Sequence, residues 1–187
     1  FIKRKKSILL MDIREIPTTN LLGNIVGFFA PMNGGKTEAM VQELKRARYY
    51  GLDFVAYNHG RNTREKDSIV VDGKDSFPAK TVSGMDDLRE DLEKRIESLN
   101  NCDGKEVGDL VNVNGIKHHV GNDISVVGID EINLFCLEEK EVSETIDFMS
   151  WCRDKNIALY VSGLLYDFRH RGFGQVHSIL PYIDIKQ

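Results

Sequence analysis

The feature that narrows the fold most is an abrupt change of character near residue 30. Ile25-Val-Gly-Phe-Phe29 is a short apolar run suited to a buried strand. It passes at once into Ala30-Pro-Met-Asn-Gly-Gly-Lys-Thr37, and beyond Thr37 the apolar residues Ala39, Met40, Leu44 and Ala47 recur at helical spacing between charges. Strand, glycine-rich turn and helix in that order aim successive backbone N–H groups, and the positive end of a helix, at one point in space. That point suits an anion. Lys36 is placed to reach the outer phosphates of a bound triphosphate, and the Thr37 hydroxyl to face Mg²⁺. The usual pattern opens with glycine where this chain has Ala30, a harmless change unless the loop needs φ > 0 there. Met32, Asn33, Gly34, Gly35, Lys36 and Thr37 are therefore the expected ATP-binding residues.

A second constellation lies downstream. Ile124-Ser-Val-Val-Gly-Ile129 reads as a buried strand, and Asp130-Glu131 follows it directly. An aspartate at that point supports Mg²⁺ beside a phosphate loop, so Thr37 and Asp130 form the expected metal pair. Its neighbour Glu131 points the other way and is free to take a proton from an attacking hydroxyl or to orient a water.

Between and around these motifs the pattern alternates strand and helix. Leu52–Tyr57 and Ile157–Val161 read as strands, 85–99 as a helix with the stripe Met85, Leu88, Leu92, Ile96 and Leu99, and Val142–Lys155 as another helix. Gly51 falls where a helix C-terminus needs it. Hairpins are expected to turn at Asp72-Gly73 and, within an Asn/Gly/Asp-rich insertion at 100–122, at Asn114-Gly115. A last strand is expected at Tyr182–Ile185. The fold class is α/β: a P-loop NTPase sheet of RecA-like type, mainly parallel, flanked by helices and carrying a small β-hairpin insertion. Residues 1–187 form one domain, with 1–20 expected as a flexible extension whose basic cluster Lys3-Arg4-Lys5-Lys6 is a solvated terminus, a nuclear signal or an anion-binding arm.

Composition limits the remaining function classes. A net charge of −4 offers no field for duplex nucleic acid, and no apolar run approaches the length of a membrane span. The three cysteines (Cys102, Cys136, Cys152) are scattered, which supports neither a disulfide framework nor a thiolate zinc site and fits a reducing, cytoplasmic setting. His118 and His119, adjacent in an expected hairpin, point to opposite faces and are assigned no metal.

Three segments together resemble the thymidine kinases of animals, bacteria and large DNA viruses: Gly27–Thr37, Asp130-Glu-Ile-Asn-Leu-Phe135, and Gly163-Leu-Leu-Tyr-Asp-Phe-Arg-His-Arg-Gly-Phe-Gly174. Asn62-Thr63-Arg64 stands where that family carries Asp-Thr-Arg, and Asn133 where it carries Gln. The resemblance implies phosphorylation of a pyrimidine deoxynucleoside by ATP, with Glu131 as base, Lys36 and Arg64 near the reacting phosphate, and Met32, Leu134, Leu164, Phe168 and Phe173 around the nucleoside. Arg169 and Arg171 either neutralise phosphate or decorate a solvated loop. It also implies a dimer or tetramer and a zinc-binding C-terminal segment, expected either to have been trimmed from the sequence given or to be naturally absent. Two other readings stay open: an ATPase or nucleic-acid motor in which Glu131 orients water, and a nucleotide-binding module that no longer turns over.

Overall fold

In a computed structural model, the described residues are 16–62, 67–71, 75–100, 110–113, 116–119 and 124–187. The basic N-terminal cluster, Arg64 and most of the 100–122 insertion lie outside them.

The chain forms β1 (Ile25–Phe29), α1 (Lys36–Tyr49), β2 (Asp53–His59), the paired strands β3 (Ser68–Val71) and β4 (Asp75–Pro78), and β5 (Lys80–Val82). There follow α2 (Met85–Asn100), the paired strands β6 (Leu110–Val113) and β7 (Ile116–His119), β8 (Ile124–Ile129), α3 (Glu139–Asp154), β9 (Ala158–Gly163) and β10 (Ile185–Lys186). Six strands make one sheet in the order β10-β1-β9-β8-β2-β5. Every pairing in it is parallel. The other two pairs are the antiparallel hairpins expected from Asp-Gly and Asn-Gly.

A parallel sheet must be covered on both faces, and the period-2 alternation of its strands shows that it is. Val26, Phe28, Ala56, Val126, Ala158 and Tyr160 face one side, where Met40, Leu44 and Ala47 of α1 cover them with Ile69 and Phe77 of the β3–β4 hairpin. Ile25, Val55, Tyr57, Val127, Ile129, Leu159 and Val161 face the other, under Leu88 and Leu92 of α2 and Phe148, Met149 and Cys152 of α3. Each buried Val, Leu, Ile, Phe or Met among them contributes about 1.5–3 kcal/mol by leaving water. Cys136 and Cys152 are buried free thiols, and burial pushes Cys136 up to about 11.

Four details differ from the sequence reading. The helix expected from Val142 begins at Glu139, because Glu138 and Glu141 close a reciprocal capping box. The last strand is shorter and later than expected: Val176–Tyr182 is a 3₁₀ helix and only Ile185–Lys186 pairs with β1. Strand β9 continues through Ser162 and Gly163, and β5 is an additional short edge strand.

One polar group sits deep under α2. Asp91 accepts from Tyr57 Oη at 2.9 Å, from Lys80 Nζ at 2.5 Å and from Arg95 Nε at 2.6 Å. Burial opposes the Asp91 charge, but hydrogen bonds from Lys80 and Arg95 outweigh it and hold the carboxyl below its ordinary value. A depressed carboxylate stabilises the fold above the unfolded value and stops doing so as pH falls through the folded one. Asp91→Asn should therefore cost about 3 kcal/mol at pH 7, since it removes the buried charge on which Arg95 and Lys80 converge. Urea-unfolding midpoints of variant and wild type should converge as pH falls below about 4, the ordinary Asp value, toward the lower value of the folded carboxyl.

Candidate active site

The sheet order decides where the site lies. Strands β1, β9 and β8 are adjacent and parallel, so the loop after β1 and the acidic pair after β8 emerge on the same edge with only β9 between them. The loop itself is built by two residues with positive φ. Asn33 has φ 61° and Gly35 has φ 76°, whereas Ala30 is not among the positive-φ positions. That is why alanine serves where the usual pattern has glycine. Gly35 caps the N-terminus of α1, and Glu38 in the first turn complements the helix dipole.

The two constellations meet. Thr37 Oγ1 donates to Asp130 Oδ1 at 3.0 Å, and Lys36 Nζ lies 3.4 Å from Glu131 Oε1. Ser162, at the end of the intervening β9, donates its hydroxyl to the same Asp130 oxygen. Asp130 is 3% exposed. Burial raises its carboxyl to about 6, with repulsion from Glu131 adding to the shift and the Ser162 bond, Lys36 and Thr37 opposing it. Glu131 itself has φ 51° and ψ 47°, a left-handed conformation that a glutamate adopts only when the surroundings impose it. A 3₁₀ turn, Ile132–Phe135, follows at once.

Lys36, Thr37, Asp130 and Glu131 line a cavity of about 590 Å³. Met32, Asn33, Gly34, Gly35, Lys36 and Thr37 form its floor, Asp130 and Glu131 one wall, and Leu134, Leu164 and Phe173 the apolar part. Phe168 is not in that lining. It is 86% exposed at the tip of the 163–174 loop, where the Arg169 guanidinium lies 5.1 Å from its ring centre. Arg171 folds back on Asp167, which accepts from its Nε at 3.1 Å and its Nη2 at 3.0 Å. Arg64 lies outside the described residues.

Arg61 and the valines Val70 and Val71 of β3, which were not anticipated, also face the cavity, as do Asn62 and Asn133, singled out in the sequence as departures from the family pattern. Asn133 is buried, and its Oδ1 accepts from the Leu164 backbone at 2.9 Å, which ties the 3₁₀ turn to the end of β9. Gly163 permits this closeness, for a Cβ there would lie 2.7 Å from Ile132 Cγ2 and 2.8 Å from Asn133 Oδ1. The available signal for Ser162 and Gly163 was two small residues closing an apolar strand. The valines carried none, since only the docking of the hairpin brings them to the cavity.

An all-parallel sheet whose phosphate-loop strand is separated by one strand from the strand ending in Asp-Glu defines an α/β protein of the P-loop NTPase class, in its RecA-like arrangement. Comparison with known proteins narrows the class. The thymidine kinase family profile matches residues 90–186, which include the acidic pair and the 163–174 loop. The thymidine kinase of Mesoplasma florum is 26% identical over 155 residues, 82% of this chain and 62% of that protein. That of Mycoplasmoides gallisepticum is 28% identical over 163 residues, 87% of this chain and 58% of that protein. The chain belongs to the thymidine kinase family, and it spans about three-fifths of the length of these curated relatives. No helix among the described residues is long and apolar enough to cross a membrane.

The loop geometry makes a clean test available. An added Cβ at Gly35 meets nothing within 4 Å, so strain there comes from φ alone. Gly35→Ala should lower stability by about 1 kcal/mol, and Gly35→Asn by less, because asparagine tolerates the left-handed region. Thermal melts of the two variants read the difference; equal losses would mean that crowding, not φ, sets the choice of glycine.

Proposed function

We propose that this protein transfers the γ-phosphoryl group of ATP to the 5′-hydroxyl of a pyrimidine deoxynucleoside, thymidine or deoxyuridine, giving the 5′-monophosphate. The observation that carries the reading is the meeting of the two motifs in one cavity: Lys36 beside Glu131 at 3.4 Å and Thr37 beside Asp130 at 3.0 Å. Membership of the thymidine kinase family supports the substrate class.

Each residue has a role that its position supports. The amides of Asn33, Gly34 and Gly35 and the Lys36 ammonium receive the β- and γ-phosphates at the helix N-terminus. Thr37 Oγ1 and Asp130 Oδ1 are hard oxygen donors brought to 3.0 Å of each other, and Ser162 fixes the carboxylate, a set that fits Mg²⁺. When bound, Mg²⁺ neutralises charge on the phosphate oxygens. Met32, Leu134, Leu164 and Phe173 supply the apolar surface for the nucleoside. Phe168 and Arg64 join them in the proposal from the family pattern, Phe168 reaching the nucleoside only if the loop tip folds inward.

The transfer balances without further reactants. Glu131 takes the proton of the 5′-hydroxyl, and the oxygen forms its bond to Pγ. The bond from Pγ to the bridging oxygen breaks, with ADP as the leaving group. Most of the acceleration comes from alignment and charge neutralisation. While Lys36 pairs with Glu131, the carboxylate is held close to the phosphate position. Arrival of the triphosphate gives Lys36 a stronger partner and leaves Glu131 available to the hydroxyl.

Glu131→Gln should lower thymidine-dependent ADP release by about 10²–10⁴-fold, the usual contribution of a general base. ATP affinity, read by isothermal titration, should stay within a few-fold. Undiminished turnover in the glutamine variant, or ATP hydrolysis that ignores added deoxynucleoside, would discard the reading.

A further inference from the structure

The stretch that places Glu131 is short and strained, and something must hold its far end. Its near end is fixed by the ladder: Asp130 N–H donates to Tyr57 O at 3.0 Å. Beyond Glu131 the turn closes when Leu134 N–H donates to Glu131 O at 2.8 Å. The Leu134 carbonyl then points back toward the loop that leaves β2, and Arg61 meets it there. A single guanidinium nitrogen, Nη1, donates to Leu134 O at 2.9 Å and lies 2.8 Å from Glu141 Oε1. The other Glu141 oxygen accepts the backbone N–H groups of Leu137 at 2.9 Å and Glu138 at 3.1 Å. One carboxylate thus caps α3 and anchors Arg61.

Arg61 is itself well seated. Its backbone N–H donates to His59 Nδ1 at 2.9 Å, which requires that nitrogen to be unprotonated. His59 satisfies this: burial, then the Arg61 cation, lower its value, against a smaller opposing pull from Glu141. The His59 ring in turn meets the Phe135 ring edge-on, with centroids 4.4 Å apart. The end of β2 and the loop after it therefore grip the 132–135 turn at two successive residues, Leu134 through Arg61 and Phe135 through His59.

We propose that Arg61 is a positioning residue: acting through the carbonyl of Leu134 and anchored by Glu141, it holds the turn that fixes both the left-handed Glu131 and the apolar wall at Leu134. Its role in turnover rests on the transfer reaction proposed above; its hold on the turn does not. Two hydrogen bonds to one nitrogen mean that a lysine ammonium can replace the guanidinium, whereas an isosteric apolar chain cannot.

The test compares Arg61→Met, Arg61→Lys and Glu141→Gln. Arg61→Met should lower kcat about tenfold and raise KM for thymidine, with ATP affinity unchanged, as expected when reacting groups lose their alignment. Arg61→Lys should recover most of that loss. Glu141 is not part of the cavity lining, and glutamine keeps an oxygen for the Leu137 and Glu138 amides while losing the charge that anchors Arg61, so the same phenotype in Glu141→Gln would point to Arg61. The Met/Gln double variant should then lose no more than either alone. Independently of turnover, hydrogen exchange of the 131–137 amides should quicken at least fivefold in Arg61→Met and return toward normal in Arg61→Lys. Loss of ATP affinity in Arg61→Met with unchanged exchange would make Arg61 a phosphate contact and overturn the proposal, as would no change in any readout. If the wild type shows no thymidine-dependent transfer but the exchange result holds, the positioning role stands and the proposed reaction falls.

Discussion

The convergence of Thr37 and Asp130 is the constraint on which the cavity end of the sheet depends. It requires three strands to end at the same height: β1 to launch the loop, β8 to present the carboxylate, and β9 between them to carry Ser162. Parallel pairing delivers this, because parallel strands end on a common edge and their helices return over the faces. A shift of one residue in the β8–β9 register would exchange Asp130 with Glu131 relative to the sheet face. The registers of β1 with β9, and of β9 with β8, are therefore functional parameters as well as structural ones.

Burying Asp130 there has an unfavourable side. The carboxyl is raised to about 6 by burial, and three partners only partly offset it. A residue chosen for stability alone would be apolar at the end of such a strand. The same holds for Glu131, whose left-handed backbone lacks the excuse of glycine. Both costs fall at adjacent positions, and the supports assembled around them are correspondingly dense: Ser162 on Asp130, Asn133 against Leu164, Gly163 making room for that contact, and Arg61 on Leu134. Strain that persists in a fold is strain that the neighbours over-determine.

Which parts were legible in the sequence follows from how local their causes are. The loop after Phe29 was readable because glycine, lysine and threonine act through their own backbone and neighbouring helix. The acidic pair was readable because it closes a strand-like apolar run downstream of the glycine-rich loop. The stripe from Met85 to Leu99 and both hairpins rest on periodicity and turn chemistry that span a few residues. By contrast, β5 is three residues long and owes its existence to pairing with β2. The 3₁₀ helix at Val176–Tyr182 contains Pro181 and packs Val176 and Ile179 into the core, a pattern with too short a run to separate it from a strand. The start of α3 was missed because its cap is made by Glu138 with Glu141, not by the Ser, Thr, Asp or Asn that usually announces one.

The site residues divide along the same line. Lys36, Thr37, Asp130 and Glu131 belong to contiguous motifs, and the fold brings them together. Phe168 belongs to the motif of the 163–174 loop by pattern alone, and that loop's own bonds, Asp167 to Arg171 and the bridge of Tyr166 with Gly172, carry its ring away from the cavity. Arg61 sits next to a recognisable tripeptide yet outside it, and its partners are 73 and 80 residues away in sequence. A single arginine in a polar loop carries no periodicity and no motif, so nothing short of the folded chain reveals what it touches. The chemistry-bearing groups of such a site are written locally, whereas the groups that hold them still are written in the topology.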